Sequence, residues 1–293
     1  MTLQPVKPAV VSLFSRQPDP DEEEVRITVP ASPAGGTARA RTVLPDLTGS
    51  PLWFLIGAGQ TGKTTFARWA APRAFAHGRT PVQAAFDPSN RTLVDFFDNV
   101  HQPPSGDPAS ALGFLRDVIQ FLMKTPTTAL LDMGGGDTSL LRLAQDVPGI
   151  GKTMAADGVA PVAAYFFGPR VDDLAVLAAM QAAAFRPAAT VLILNFGRVS
   201  DGEDASRVFA PLRAHSIFRA AVDAGAVVID MPRLEPRVAR DVERRRLQFA
   251  DARDGLVPEG KKVTPIGGLD RSYVRRWLDQ MDAAFAPVAA WLP

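Results

Sequence analysis

The chain has 293 residues, 46% of them hydrophobic and 22% charged, and sets 32 Lys and Arg against 31 Asp and Glu for a formal charge of +1. A net charge this small produces no global field for nucleic acid or an anionic membrane, so any such contact has to be local. There is no cysteine, which removes disulfides, thiolate nucleophiles and Cys-ligated metals, and three histidines do not readily build a zinc site; the site chemistry is expected to be that of oxygen and nitrogen.

Residues 1–48 carry prolines, the acidic run Asp19 to Glu24 and the segment ASPAGGTARA, a composition that predicts a flexible N-terminal tail with at most one short strand at Val25 to Val29. The opening MTLQPVKPAVVSLFSRQ lacks a basic segment followed by an adequate apolar core, and no later run reaches a spanning length, so a cytoplasmic protein with no membrane span is expected. From Pro51 the texture changes. Short apolar runs at 52–56, 81–86, 127–132, 161–167, 190–195 and 226–230 alternate with helical stretches, which predicts an α/β domain over 49–250 with an open, mainly parallel sheet and helices on both faces. Residues 251–293 read as a Gly/Pro/Lys loop around 256–268 followed by an amphipathic helix from about Ser272 to Phe285, able to pack on the domain or on a partner.

The first of those strands runs into GAGQTGKT, residues 57–64, which fits the phosphate-binding pattern G-x-x-x-x-G-K-[ST] without adjustment. Trp53, Phe54, Leu55 and Ile56 precede it as a buried strand, and Phe66 and Trp69 follow at helical spacing, so the loop sits between strand and helix as the mechanism requires. Such a loop binds phosphate because its backbone amides converge on phosphate oxygens and the helix N-terminus adds partial positive charge. The expected cofactor-binding residues are Gly57, Gly59, Gln60, Thr61, Gly62, Lys63, Thr64 and Thr65, with Lys63 on the β- and γ-phosphates and the Thr64 hydroxyl on magnesium. A second Gly-Lys-Thr at 151–153 has Asp146 where the first glycine is required and Pro148 in the run between, and reads as a surface loop.

Open parallel sheets bind ligands at the carboxyl ends of their strands, so the residues just after each strand carry the remaining chemistry. Asp132 ends an apolar run and is the natural carboxylate for a magnesium-bound water, although a strand-terminal Asp can also merely cap a turn. Gly134, Gly135 and Gly136 would let the next loop approach a γ-phosphate. Asp87 is either catalytic or part of an Asp-Pro turn, and Asn195 either hydrogen-bonds a base or satisfies backbone in its own loop. Arg237, Arg240, Arg244, Arg245 and Arg246 could contact DNA phosphates if they share a face, but Asp241 and Glu243 interleave and a solvated helix is the competing reading.

Taken in order, these segments resemble the ParA/MinD group of P-loop ATPases, which includes plasmid-partition and conjugation accessory proteins of the StbB type. AAFDPSNRTL resembles that group's second motif, LLDMGGGD its Walker B segment and AAYFFGPRVDDLAVL the strand and helix that follow; LILNFGR and VVIDMPRLEP resemble the later strands, where the family places an asparagine and a loop against the adenine. The resemblance covers roughly residues 51 to 236. It implies ATP and Mg2+ as cofactors, Lys63, Asp87 and Asp132 as the catalytic set, a nucleotide-dependent homodimer and a protein partner. Two positions depart from the pattern: Ala58 stands where the family carries its signature lysine, and Ala85 where the second motif begins with a water-orienting aspartate.

Three functions are therefore carried forward. The first is a slow ATP-dependent switch in plasmid partition, stability or conjugative transfer. The second is a small-molecule phosphotransferase with Asp87 or Asp137 as base. The third is a catalytically weak assembly protein with nucleotide as a structural ligand.

Overall fold

The computed structural model describes residues 44, 46–87 and 93–293. The proposed strand at 25–29, nearly all of the expected tail and Pro88 to Thr92 of the second motif lie outside the described residues.

Seven strands form one sheet in the order β3-β2-β4-β1-β5-β6-β7, and every pairing is parallel. They are β1 (Ser50–Ile56), β2 (Val82–Ala85), β3 (Val100–His101), β4 (Ala129–Asp132), β5 (Val159–Phe167), β6 (Ala189–Asn195) and β7 (Val227–Met231). Parallel strands need crossover connections, and the helices that make them cover both faces of the sheet. That is why the inner strands are apolar throughout rather than alternating: all of β5 is buried, and so are residues 52–56 of β1. Six of the seven strands stand where the sequence places them. The exception, β3, is two residues long and pairs Val100 and His101 with Gln83 and Ala84 at the sheet edge, too short for any periodicity to signal it.

Successive side chains of a strand point to opposite faces, and β1 divides the core accordingly. Leu52, Phe54 and Ile56 pack with α2 (Pro108–Lys124), α3 (Ser139–Asp146), α4 (Ile150–Ala156), α5 (Ala175–Ala182) and α8 (Ser216–Asp223), beside the short α6 (Ala205–Val208) and α7 (Ala210–Ala214). Trp53 and Leu55 pack with α1 (Lys63–Ala76), α9 (Pro236–Arg244), α10 (Phe249–Asp254) and α11 (Gly268–Phe285). Local chemistry starts several of these helices: Asp107 accepts from the Ala109 and Ser110 amides ahead of α2, and Glu235 accepts from Arg237 and Val238 ahead of α9, each followed by a proline at the first helical position.

The second Gly-Lys-Thr is not a loop. It lies within α4, which Gly149 opens with φ 82°, and a Cβ on Gly151 would lie 2.1 Å from the Arg186 carbonyl oxygen, so the glycine serves close packing of helix on backbone. Lys152 and Thr153 face solvent from that helix.

The C-terminal segment packs on the same domain. Val274, Trp277, Met281 and Phe285 line one side of α11 and are buried, and the chain ends under the sheet with Trp53 Nε1 donating to the Trp291 carbonyl at 2.6 Å. Among the described residues no helix is long and apolar enough to cross a membrane.

Candidate functional site

β1 delivers the backbone to Gly57 at the carboxyl edge of the sheet, between β4 and β5, where a buried central strand gives the loop that follows a rigid base. The loop then folds over itself. The Thr61 hydroxyl donates to the Ala58 carbonyl at 2.8 Å, and Lys63 Nζ donates to the carbonyls of Gly57 and Ala58, each at 2.9 Å. Gln60 and Gly62 adopt left-handed backbone conformations, with φ of 63° and 103°. At Gly62 only glycine fits: a Cβ would lie 2.4 Å from Asn195 Nδ2 and 2.8 Å from the Met231 methyl.

α1 begins at Lys63, two residues earlier than its apolar pattern predicts, with no side chain capping it and no acidic residue in its first turn. No side chain of the helix's own first turn offsets the positive end of its dipole, and Gly62, Lys63, Thr64 and Thr65 line a cavity of about 440 Å³. The same cavity is lined by Gly59, Gln60, Thr61, Ala85, Asp87, Asp132, Gly134, Gly135 and Gly136, so the elements that the sequence singles out converge there from three strand ends. Asp132 closes β4 and accepts a hydrogen bond from the Thr64 hydroxyl at 2.7 Å. Gly135 brings the loop after β4 against the Gly57–Thr64 loop: a Cβ there would lie 2.6 Å from the Gly59 amide nitrogen.

Burial dominates the electrostatics. It pushes the Lys63 ammonium below its ordinary pKa despite the attraction of Asp132 and then Asp87, and pushes the Asp132 carboxyl above the usual carboxylate range despite Lys63 and the Thr64 hydroxyl. Each charge is thus undercompensated by its neighbours. An anionic phosphate against Lys63 and a divalent cation beside Asp132 would supply what each lacks, so the residues fit a magnesium-bound polyphosphate. Among the described residues no cluster of three or more His, Cys, Asp or Glu forms. The protein's contribution to such a metal would be the Thr64 hydroxyl and, through water, Asp132, the few-ligand arrangement that suits Mg2+ held with phosphate oxygens.

Asn195, at the end of β6, spends both halves of its carboxamide on backbone: Nδ2 donates to the Thr61 carbonyl at 2.8 Å and Oδ1 accepts from the Gly197 amide at 2.9 Å. It is buried and borders a second cleft of about 380 Å³ that continues from the first past Gly62 and Thr65 toward Met231, Pro232, Arg233 and Leu234.

One pair that sequence reasoning does not single out stands between the two clefts. Arg68, one turn along α1 from Thr64, is 3% exposed, and its guanidinium lies 3.4 Å from the Phe96 ring centroid and 4.4 Å from that of Phe249. It pairs with Glu243 of α9 and donates to the Leu247 carbonyl. Burial lowers its pKa to about 10, leaving it charged at neutral pH. The signal available in the sequence is a lone cation in the apolar run FARWAA, where no i±4 carboxylate explains it. The arginines at 237–246 are mostly engaged within the chain. Arg237 pairs with Asp270, Arg244 and Arg245 with Asp241, and Arg246 with Asp95, while Arg245 also donates to the Thr264 and Pro265 carbonyls.

No family model matches the chain, and no curated protein is similar to it. Among solved structures it is similar to the MinC:MinD cell division protein complex of Aquifex aeolicus, at 12% identity over 78% of this chain and 96% of that one, with a TM-score of 0.41. It is also similar to FlhF complexed with GMPPNP and Mg2+, at 10% identity over 80% of this chain and 76% of that one, with a TM-score of 0.37.

Proposed function

We propose that the chain is an ATP-binding switch of the ParA/MinD type, hydrolysing slowly, whose nucleotide state alters the surface offered to a protein partner or a second copy in plasmid partition, stability or conjugative DNA transfer. The observation that carries this reading is the single cavity in which an uncapped helix start, buried Lys63 and the Thr64–Asp132 pair meet. Phosphates would lie on the amides of Gly59 to Thr65, Mg2+ on Thr64 with Asp132 behind a water, and the base in the cleft beside Asn195. The loop carrying Gly134 to Gly136 touches the phosphate loop at Gly59, so a γ-phosphate would bear on both loops at once, the arrangement by which nucleotide orders a switch. The side chains of Ala58 and Ala85 supply neither charge nor hydrogen bond, which favours binding over rapid hydrolysis. The intramolecular pairing of the arginines at 237–246 favours a protein partner over DNA.

The test is affinity isolation with the full chain loaded with ATP, ADP or neither. Partners or self-association dependent on ATP support the switch; the same capture in all three conditions counts against it.

A second reading, phosphotransfer to a small molecule, draws on one observation. A cleft of about 220 Å³ lined by Phe86, Asp87, Pro108 and Asp137 shares Asp87 and Gly134 to Gly136 with the phosphate cavity, giving room for an acceptor next to a carboxylate. Loss of ATP without phosphate release in the presence of candidate acceptors would bring this reading forward.

A further inference from the structure

A cavity of about 570 Å³ lies away from the phosphate site, against α5 and α8 at the amino-terminal ends of β6 and β7. Its buried wall is formed by Tyr165, Leu177, Met180, Phe185, Ala221 and Trp291, and among the described residues no Asp or Glu lines it. Two polar groups in it are unmatched. Tyr165 is 3% exposed as a residue, and no described residue hydrogen-bonds to its hydroxyl. Arg186 is exposed among the lining residues; its Nη1 reaches only the Phe185 carbonyl, at 3.3 Å, and no described carboxylate lies within ion-pair distance.

We propose that this cavity is a second ligand site that takes a small apolar molecule bearing one anionic head, of the class of medium-chain or aryl-substituted carboxylates. The volume falls within the range of small-molecule sites, about 300–1,000 Å³, and an apolar wall with a few polar groups is the usual composition of such sites. The apolar body lies against Leu177, Met180, Phe185 and Trp291. The carboxylate takes the Arg186 guanidinium, whose fork of N–H donors matches its two oxygens. Burial pushes the Tyr165 hydroxyl well above its ordinary pKa, so it stays protonated and can donate to an oxygen of the ligand. Nothing in this assignment depends on nucleotide binding at the other edge of the sheet.

The probes are 4-phenylbutyrate and its uncharged counterpart 4-phenylbutan-1-ol, titrated into the full chain by calorimetry with saturation-transfer NMR as a second readout. Saturable one-to-one binding of the carboxylate is expected with a Kd below about 1 mM. Arg186→Gln is expected to weaken the carboxylate about tenfold and leave the alcohol unchanged. Tyr165→Phe should weaken both, and Ala220→Trp, at an exposed lining position, should abolish both while circular dichroism and the thermal transition stay as in the parent. Absence of saturable binding by the parent chain up to about 10 mM probe overturns the site, as does unchanged binding in a folded Ala220→Trp chain. Equal effects of Arg186→Gln on the two probes overturn the anionic head.

Discussion

Asn195 donates its amide to the Thr61 carbonyl at 2.8 Å, and through that bond the end of β6 holds the Gly57–Thr64 loop in place. Removing the carboxamide leaves the Thr61 carbonyl and the Gly197 amide without it, a loss of roughly 1–3 kcal/mol for buried groups. Asn195→Ala is therefore expected to lower the thermal midpoint by several degrees and to weaken ATP and inorganic triphosphate by similar factors. Loss of ATP affinity with triphosphate binding intact would instead assign Asn195 to the base.

Lys63→Ala removes a buried cation from the phosphate cavity. A charge-assisted hydrogen bond is worth about 1.5–3 kcal/mol, so ATP affinity is expected to fall by roughly one to two decades. Calorimetry on the folded variant measures this, and unchanged affinity would remove the phosphate assignment.

In the proposed site, Asp132 links metal binding to stability with opposite signs. Its carboxyl has a folded pKa raised above 3.8 by burial, so the folded chain holds that proton more tightly than the unfolded chain. The resulting stabilisation is present at low pH and is lost as pH rises through the folded value; a one-unit difference is worth about 1.4 kcal/mol. Asp132→Asn, a mimic of the protonated acid, is thus expected to melt higher than the parent in metal-free buffer, by a margin that widens from about pH 4 upward. The same variant, like Thr64→Ala, should lose most of the magnesium dependence of ATP binding. A parent-like magnesium titration in both would return Asp132 to the role of a turn cap.

The Arg68–Glu243 pair is asymmetric, with side-chain exposures of 4% and 55%. Arg68→Ala removes the cation stacked between Phe96 and Phe249 together with its bond to Leu247 and is expected to cost about 3 kcal/mol. Glu243→Gln leaves the guanidinium buried but still bonded to Leu247, and solvent already screens the exposed carboxylate, so about 1 kcal/mol is expected. Urea denaturation orders the two, and an equal cost would mean the ion pair, not the packing, carries the stability.

Turnover tests the two alanines. Groups that act only in the transition state raise the rate without changing affinity, so Ala58 and Ala85 are expected to leave ATP tightly bound and slowly hydrolysed. Steady-state hydrolysis by the purified chain should be well below one per second, and a partner supplying an arginine could add about three to five decades. Several turnovers per second from the chain alone would favour the phosphotransferase or a motor over the slow switch.

The sequence by itself determined the parallel α/β sheet and the place of the Gly57–Thr64 loop between strand and helix, because both rest on local order. Apolar runs too short for helices alternate with helical periods, and G-x-x-x-x-G-K-T places its residues by contiguity alone. It also located Asp132, since a carboxylate ending an apolar strand reaches the same sheet edge as the loop. What only tertiary structure decided is which polar groups spend their hydrogen bonds on one another. Asn195 offers a donor and an acceptor in any fold; packing of β6 behind Gly62 commits them to Thr61 and Gly197. Arg68 and Glu243 stand 175 positions apart and meet because α1 and α9 cover the same face. Arg237 pairs with Asp270 and Arg246 with Asp95, carboxylates from other elements that no pattern along the arginine segment announces. The cavity beside Tyr165 is likewise a product of how α5 and α8 lie on the sheet, a separation between helices that no pattern of residues along either one encodes.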